Sequence, residues 1–188
     1  MFAPRLNGAW AQDGLEDAEV VDPFSPFAPG AIVEIEAYKR DYRAALDAAR
    51  MAQKKTPGQF YGYFWSPLLR MGRVDEARAS LEDWKEHGAS ALDLTIPRIL
   101  IRAATDRPGA RADFDRVLQR GLPGLDHCRA SCLFAALGER EAALNELEKA
   151  LAARETDLVS VQWDPPFDAL RSDARYQRAI SAVGLPAR

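Results

Sequence analysis

One alanine returns through this chain at a nearly constant interval. Ala11, Ala45, Ala77, Ala110 and Ala143 are separated by 34, 32, 33 and 33 residues, and each is followed four positions later by Leu15, Ala49, Leu81, Phe114 or Leu147. Three residues further on lie Ala18, Ala52, Trp84, Val117 and Ala150. Spacings of i, i+4 and i+7 fall on one face of an α-helix, so each echo predicts a helix with a single stripe to bury. A period near 33 to 34 residues suits a helix–turn–helix unit that cannot bury its stripe alone and must stack on a neighbour. The small residue in each stripe lets a facing helix approach toward the short end of the usual ~8–10 Å range. The periodicity therefore predicts an all-α chain of antiparallel helix pairs.

The punctuation agrees with the period. Short polar breaks precede the second helices: "KRD" at 39–41, "MGR" at 71–73, "TDRPG" at 105–109 and "LGE" at 137–139. Connections this short turn the following helix back against the preceding one. Between units, "DPFSP" and "KTPG" each stop one helix and start the next, with Thr56 as the expected N-cap and Pro57 in the first turn. Pro67 falls inside an expected helix and predicts a bend near Tyr63–Pro67, because an interior proline costs about 3 kcal/mol. Pro97 fits a first turn if Asp93 is the cap.

The segments "RDYRAALDAARMAQKKTP", "GRVDEARASLEDW", "PGARADFDRVL" and "GEREAALNELEKAL", with Pro23 and Pro57 spaced 34 residues apart, resemble the tetratricopeptide repeat family over about residues 9–155. The resemblance implies a right-handed superhelical solenoid of antiparallel helix pairs. Its parts would be a half repeat at about 9–23, repeats at 26–57, 58–90, 91–122 and 124–155, and a closing segment at 156–188, within a single domain 1–188. "SDARYQRAISAVG" supplies the expected capping helix, with Ser172 as N-cap, Tyr176, Ala179, Ile180 and Val183 as its apolar face and Gly184 as its stop. "WDPPFDALRSDARYQ" is similar to the tail that ends such repeats in bacterial multidomain signalling proteins. That likeness implies an adenylate-cyclase, kinase or winged-helix effector fused upstream. The incomplete first unit, with only "MFAPRLNG" before its second helix, carries the expectation that the chain is a fragment or that another element covers its open face.

Composition narrows the function classes. Lys and Arg total 25 against 28 Asp and Glu, a net charge of −3, and the signs alternate along the chain. Binding driven by phosphate neutralisation needs a basic face, so no direct nucleic-acid role is expected. No apolar run approaches the ~18 residues of a membrane span, and "MFAPRLNGAWAQDG" lacks the apolar core of a signal peptide. With 2 cysteines, the chain fits a reducing cytoplasm rather than a disulfide framework.

Catalytic motifs are sparse. The sequence contains no GxGxxG, no Walker loop and no HExxH, so no enzymatic activity and no cofactor are expected. His87 in "KEHGAS" reads as a residue at a helix C-terminus, where a cation favours the dipole. In "DHCRASC", Cys128 and Cys132 share a helical face, which suits packing, a reactive thiol pair or part of a metal site. Zinc needs about four ligands in a tetrahedron, and His127 points roughly 100° away from Cys128 on a helix. The aromatic run "QFYGYFWSPLL" places five rings between Phe60 and Trp65, too many for one stripe; they either pack between units or line a groove.

In the tetratricopeptide family the first helices of successive units line a concave groove that holds a protein or peptide. The resemblance carries this role to Phe27, Gly30, Glu34 and Tyr38, then to Gln59, Gly62, Ser66 and Arg70. In the third unit it falls on Thr95, Ile99 and Arg102, and in the fourth on Cys128 and Cys132. Gly30 and Gly62 would leave room for a peptide backbone, while Arg70 and Arg102 would anchor a carboxylate or pair with neighbouring acids. The Lys and Asn clamp for acidic chaperone tails is absent, since the matching pairs are Gly30/Glu34 and Gly62/Ser66. The reading is a non-enzymatic binding scaffold. Its alternatives are a regulatory segment of a larger signalling protein and a thiol-based enzyme or sensor. On the groove reading, Tyr38→Ala combined with Arg70→Ala weakens partner binding and leaves helical content unchanged. Unaltered affinity in a binding titration, with unaltered circular dichroism, would count against the groove.

Overall fold

The repeated stripes form helices. The computed structural model describes residues 28–184; Ala11, the expected half repeat and Phe27 lie outside them. The described residues are helical with no strand, and no helix among them is long and apolar enough to cross a membrane. The chain divides into two compact units, Met1–Gly88 and Ala89–Arg188.

In the first unit, α1 (Ala28–Tyr38) turns through Lys39–Asp41 into α2 (Tyr42–Lys55). Arg40 takes the left-handed conformation at φ 65°, and Asp41 starts α2 by accepting the Ala44 N–H at 3.0 Å. Val33 of α1 meets Ala45 and Ala49 of α2, with Tyr63 and Phe64 packed against them. Thr56 closes α2 rather than opening the next helix: its backbone N–H donates to the Ala52 carbonyl at 2.9 Å. Gly58, at φ 90°, then turns the chain out of helical geometry, so Pro57 has no helix to begin.

The aromatic run breaks where a bend was expected. Phe60 adopts φ 65°, Tyr61–Tyr63 form one 3₁₀ turn, and α3 (Trp65–Arg70) starts afresh. Pro67 therefore sits in the first turn of α3, where its missing N–H leaves no intrahelical bond unmade. After Gly72 at φ 74°, α4 (Val74–Glu86) folds back on α3. Arg73 flanks its start and forks onto Glu76 at 2.6 and 2.5 Å. At its end His87 caps the helix, with Nδ1 2.7 Å from the Asp83 carbonyl and its ring stacked on Tyr61 at 3.8 Å.

The second unit opens with α5 (Ala91–Ala103). Ser90, not Asp93, is the N-cap. Asp93 occupies the third position and closes a capping box, accepting the Ser90 N–H at 2.9 Å while the Ser90 hydroxyl accepts the Asp93 N–H at 3.2 Å. This early start leaves Pro97 inside the helix. Next, α6 (Arg107–Arg120) is capped by Asp106, which accepts the Gly109 N–H at 2.9 Å. Asp126 caps α7 (His127–Leu137), and Gly138 at φ 81° turns the chain into α8 (Arg140–Ala153). Two 3₁₀ segments, Thr156–Ser160 and Pro165–Leu170, lead to α9 (Ala174–Ala182). Asp173 rather than Ser172 caps α9, accepting the Arg175 N–H at 2.7 Å. This last helix packs on α8, where Arg175 donates to Glu148 at 2.7 and 2.8 Å, to Asn145 at 2.5 Å and to Glu141 at 3.1 Å.

Each of the pairs α1/α2, α3/α4, α5/α6 and α7/α8 packs as a hairpin. Ala45, Ala77, Ala110 and Ala143 are all 0% exposed, and Ala49, Leu81, Phe114 and Leu147 are at most 2% exposed. The backbones come close enough at the last hairpin for the buried Ser131 hydroxyl of α7 to donate to the Ala143 carbonyl of α8 at 2.7 Å. An exception to the apolar packing is Gln162, a buried residue whose side-chain amide has no hydrogen-bond partner among the described residues, an arrangement costing about 1–3 kcal/mol. The alanine positions leave no volume for a larger side chain. Ala110→Leu or Ala143→Leu should destabilise the fold by about 1–3 kcal/mol through overpacking; an unchanged midpoint in thermal or urea denaturation would show that these positions face open space.

Candidate binding cleft

The second unit contains a cleft of about 520 Å³. One wall is a face of α5, where Leu92, Ile96 and Leu100 recur every fourth residue beside Asp93 and Pro97. Opposite stand Cys128, Arg129 and Cys132 of α7, and the far side is closed by Asp157, Ser160, Asp164 and Phe167 of the segment after α8. Leu122, Pro123 and Gly124 complete it from the connection between α6 and α7. Pro97, Leu100 and Phe167 are buried at the floor, whereas Leu92 is 44% exposed at the rim. Pro97 contributes a rigid, buried hydrocarbon ring to this lining, at the cost of the intrahelical hydrogen bond that its missing N–H removes.

The start of α7 is held by carboxylates. Glu155 accepts the His127 N–H at 3.1 Å and the Cys128 N–H at 2.8 Å, and Asp126 accepts the Arg129 N–H at 2.7 Å. These acids satisfy helix-terminal donors that would otherwise lack partners. Glu155 also ties the chain beyond α8 to α7, which sets the third wall. Arg129 bridges the same region, donating to Asp126 at 2.5 Å and to the Gly124 carbonyl at 3.0 Å, with Asp157 2.8 Å away. The Cys132 thiol donates to the Asp164 carboxylate at 3.1 Å.

This environment sets the chemistry of the cysteines. Burial pushes the Cys128 thiol up to about 12, reinforced by the charges of Asp126, Asp157, Glu155 and Asp164. A nucleophilic thiol requires the opposite setting, with nearby cations that favour thiolate. His127 turns its Nδ1 to Glu146 at 2.7 Å, and no group of three or more His, Cys, Asp or Glu among the described residues is placed to hold a metal ion.

The residues assigned to a groove by sequence fall in several places. Phe27 lies outside the described residues. Tyr38 is exposed near the end of α1, and Glu34, one turn earlier, has its carboxyl pKa raised by desolvation. Gln59 is exposed before the 3₁₀ turn, while Ser66 and Arg70 are half-buried on α3. Arg102 is engaged in its own hairpin, donating to Asp106 at 2.8 and 3.0 Å and to Asp113 at 2.6 Å. The expected space over the two glycines is filled. A Cβ on Gly30 would lie 2.7 Å from the Tyr63 hydroxyl, and one on Gly62 would lie 2.7 Å from the Trp84 indole. These glycines admit this chain's own aromatic side chains.

Of the sequence-assigned positions, Cys128 and Cys132 line the 520 Å³ cleft. Thr95, Ile99 and Arg102 do not, because Ile99 faces the core at 3% exposure and the cleft takes the face of α5 beside it. The i, i+4, i+8 spacing of Leu92, Ile96 and Leu100 was the available signal for that wall. A smaller cleft of about 280 Å³ in the first unit lies among α2, the 3₁₀ turn, α3 and α4, with Leu46, Phe64 and Leu68 in its lining. Comparison of the chain with protein-family models, curated proteins and solved structures gives no match.

The Cys128 environment has a measurable consequence. Its folded pKa of about 12 exceeds the ordinary 9.0, so the folded protein retains a proton that the unfolded chain releases. Stability should fall as pH rises through the unfolded value toward the folded one. Denaturant titrations across this alkaline range should show that decline, and Cys128→Ala should flatten it. An identical slope in the variant would mean that the thiol is not desolvated.

Proposed function

We propose that this chain is a non-enzymatic binding scaffold of tetratricopeptide-like hairpins that acts in the cytoplasm and holds a protein or peptide segment. The observation that carries this reading is the 520 Å³ cleft across α5, α7 and the segment after α8. Its lining sets Leu92, Ile96, Leu100 and Phe167 beside Asp93, Arg129, Asp157 and Asp164, and two of its sides are helices. A surface already ordered before binding loses little conformational freedom on association, which favours a short segment as ligand. Exposed Leu92 and half-buried Ile96 provide the apolar contact that such a segment would cover. The high thiol pKa beside them supports binding over thiol chemistry.

Selection of a random displayed peptide library on the intact protein tests this reading. Enriched peptides should bind the parent chain saturably, and Ile96→Asp should weaken them at least about tenfold by setting a carboxylate against the apolar contact. Circular dichroism of the variant should match the parent. Failure to enrich any peptide, or equal affinity for the two proteins, would overturn the proposal.

A further inference from the structure

We propose that Glu155 is the positioning residue of this cleft: from outside the lining it sets the affinity of the site, by holding the wall between Thr156 and Leu170 against the start of α7. The inference rests on the binding reading above. Glu155 is not one of the residues that line the cleft. It is half-buried, and its two carboxylate oxygens accept the His127 N–H at 3.1 Å and the Cys128 N–H at 2.8 Å, across 28 and 27 residues of sequence. Asp41 and Asp106 instead accept from the residue three positions ahead in the helix they start, so each of those caps orders one helix. The Glu155 cap orders two separate pieces of chain at once.

Backbone geometry aims that side chain. Arg154 ends α8 in the left-handed conformation at φ 55°, and the Glu155 N–H donates back to the Ala150 carbonyl at 3.1 Å, closing the helix in a Schellman-type turn. The Glu155 carbonyl then accepts the Leu158 N–H at 3.4 Å and starts the 3₁₀ segment Thr156–Ser160. One residue thus joins the end of α8, the beginning of the third wall and the beginning of α7. Asp157 and Ser160 of that segment line the cleft, and Cys128, whose amide Glu155 holds, lines its α7 wall. Loss of the Glu155 carboxylate therefore frees two walls from one another without removing a group that a ligand touches. Other contacts keep the segment in place: Val161 and Phe167 are buried, and Asp157 pairs with Arg129 at 2.8 Å. The consequence is a looser cleft rather than a lost one, and a surface less ordered before association binds more weakly.

Hydrogen exchange read by mass spectrometry and titration with the library-selected peptides test this on the intact chain. Glu155→Ala should speed exchange about five- to tenfold in residues 156–163 and at the first amides of α7, as expected for loss of a helix cap. Exchange in the middle of α8 and circular dichroism should stay parental. Peptides enriched on the parent chain should bind Glu155→Ala about five- to tenfold more weakly. Glu155→Gln keeps an acceptor oxygen and should recover most of both losses. Asp106→Ala removes the cap of α6, away from the lining, and should lower thermal stability while leaving wall exchange and peptide affinity at parental values. Parental exchange in Glu155→Ala, or faster exchange with unchanged affinity, would overturn the inference and leave the binding reading standing. Equal affinity losses in Asp106→Ala would do the same and reduce Glu155 to a stabilising cap, as would Glu155→Gln behaving like Glu155→Ala. Failure to enrich any peptide would overturn the binding reading and the affinity claim with it, while the exchange measurement would still decide whether Glu155 holds the wall.

Discussion

Close contact at small side chains is the constraint on which each described hairpin depends. Ala45, Ala77, Ala110 and Ala143 have no measurable exposure, and each lies on the second helix of its pair. An alanine at this position brings helix axes together, so that larger neighbours such as Leu81, Phe114 and Leu147 fill the volume on either side. Interiors packed this way tolerate little change in volume. The Ser131 hydroxyl reaching the Ala143 carbonyl illustrates the proximity: a short side chain satisfies its polar group across the helix interface instead of opening the helix to water.

Around that seam, chain direction is governed by caps and turns. Asp41, Ser90, Asp106, Asp126 and Asp173 each accept a backbone N–H at a helix start. Arg40, Gly72 and Gly138 adopt positive φ between paired helices. The two internal prolines have different consequences because caps fix where their helices begin. Pro67 falls in the first turn after a 3₁₀ break, whereas the Ser90–Asp93 capping box starts α5 early enough to place Pro97 in its interior. At that position the proline is accommodated as part of the cleft wall.

The cleft also shows how one set of charges serves two purposes. Asp126 and Glu155 satisfy the N-terminal amides of α7, and Glu155 thereby holds the chain beyond α8 in place. Their charges, together with Asp157 and Asp164, make the same wall unfavourable for thiolate at Cys128. Structure and electrostatics are coupled here because the groups that build the wall also create its potential. Arg129 moderates that potential but is divided between Asp126 and Asp157, so it does not turn the rim basic.

The hairpins were legible in the amino-acid order because a buried helical stripe imposes its own period, and the repeated alanines marked the face that is buried. His87 was likewise readable as a helix-terminal residue, since its neighbours Gly88 and Glu86 bracket the end of the periodic pattern. The helix starts at Ser90 and Asp173, and the closure of α2 at Thr56, were less accessible: adjacent capping residues compete, and the winner depends on backbone geometry that composition does not specify. Sequence by itself determined the helices, their buried face and the short turns joining them. Only the tertiary structure decided that aromatic rings fill the space over Gly30 and Gly62, that Arg102 spends its charge within one hairpin, and that Asp157, Asp164 and Phe167 meet α5 and α7 around a cleft. Those relations join side chains far apart in sequence, and periodicity reports the face of one helix but not what arrives opposite it.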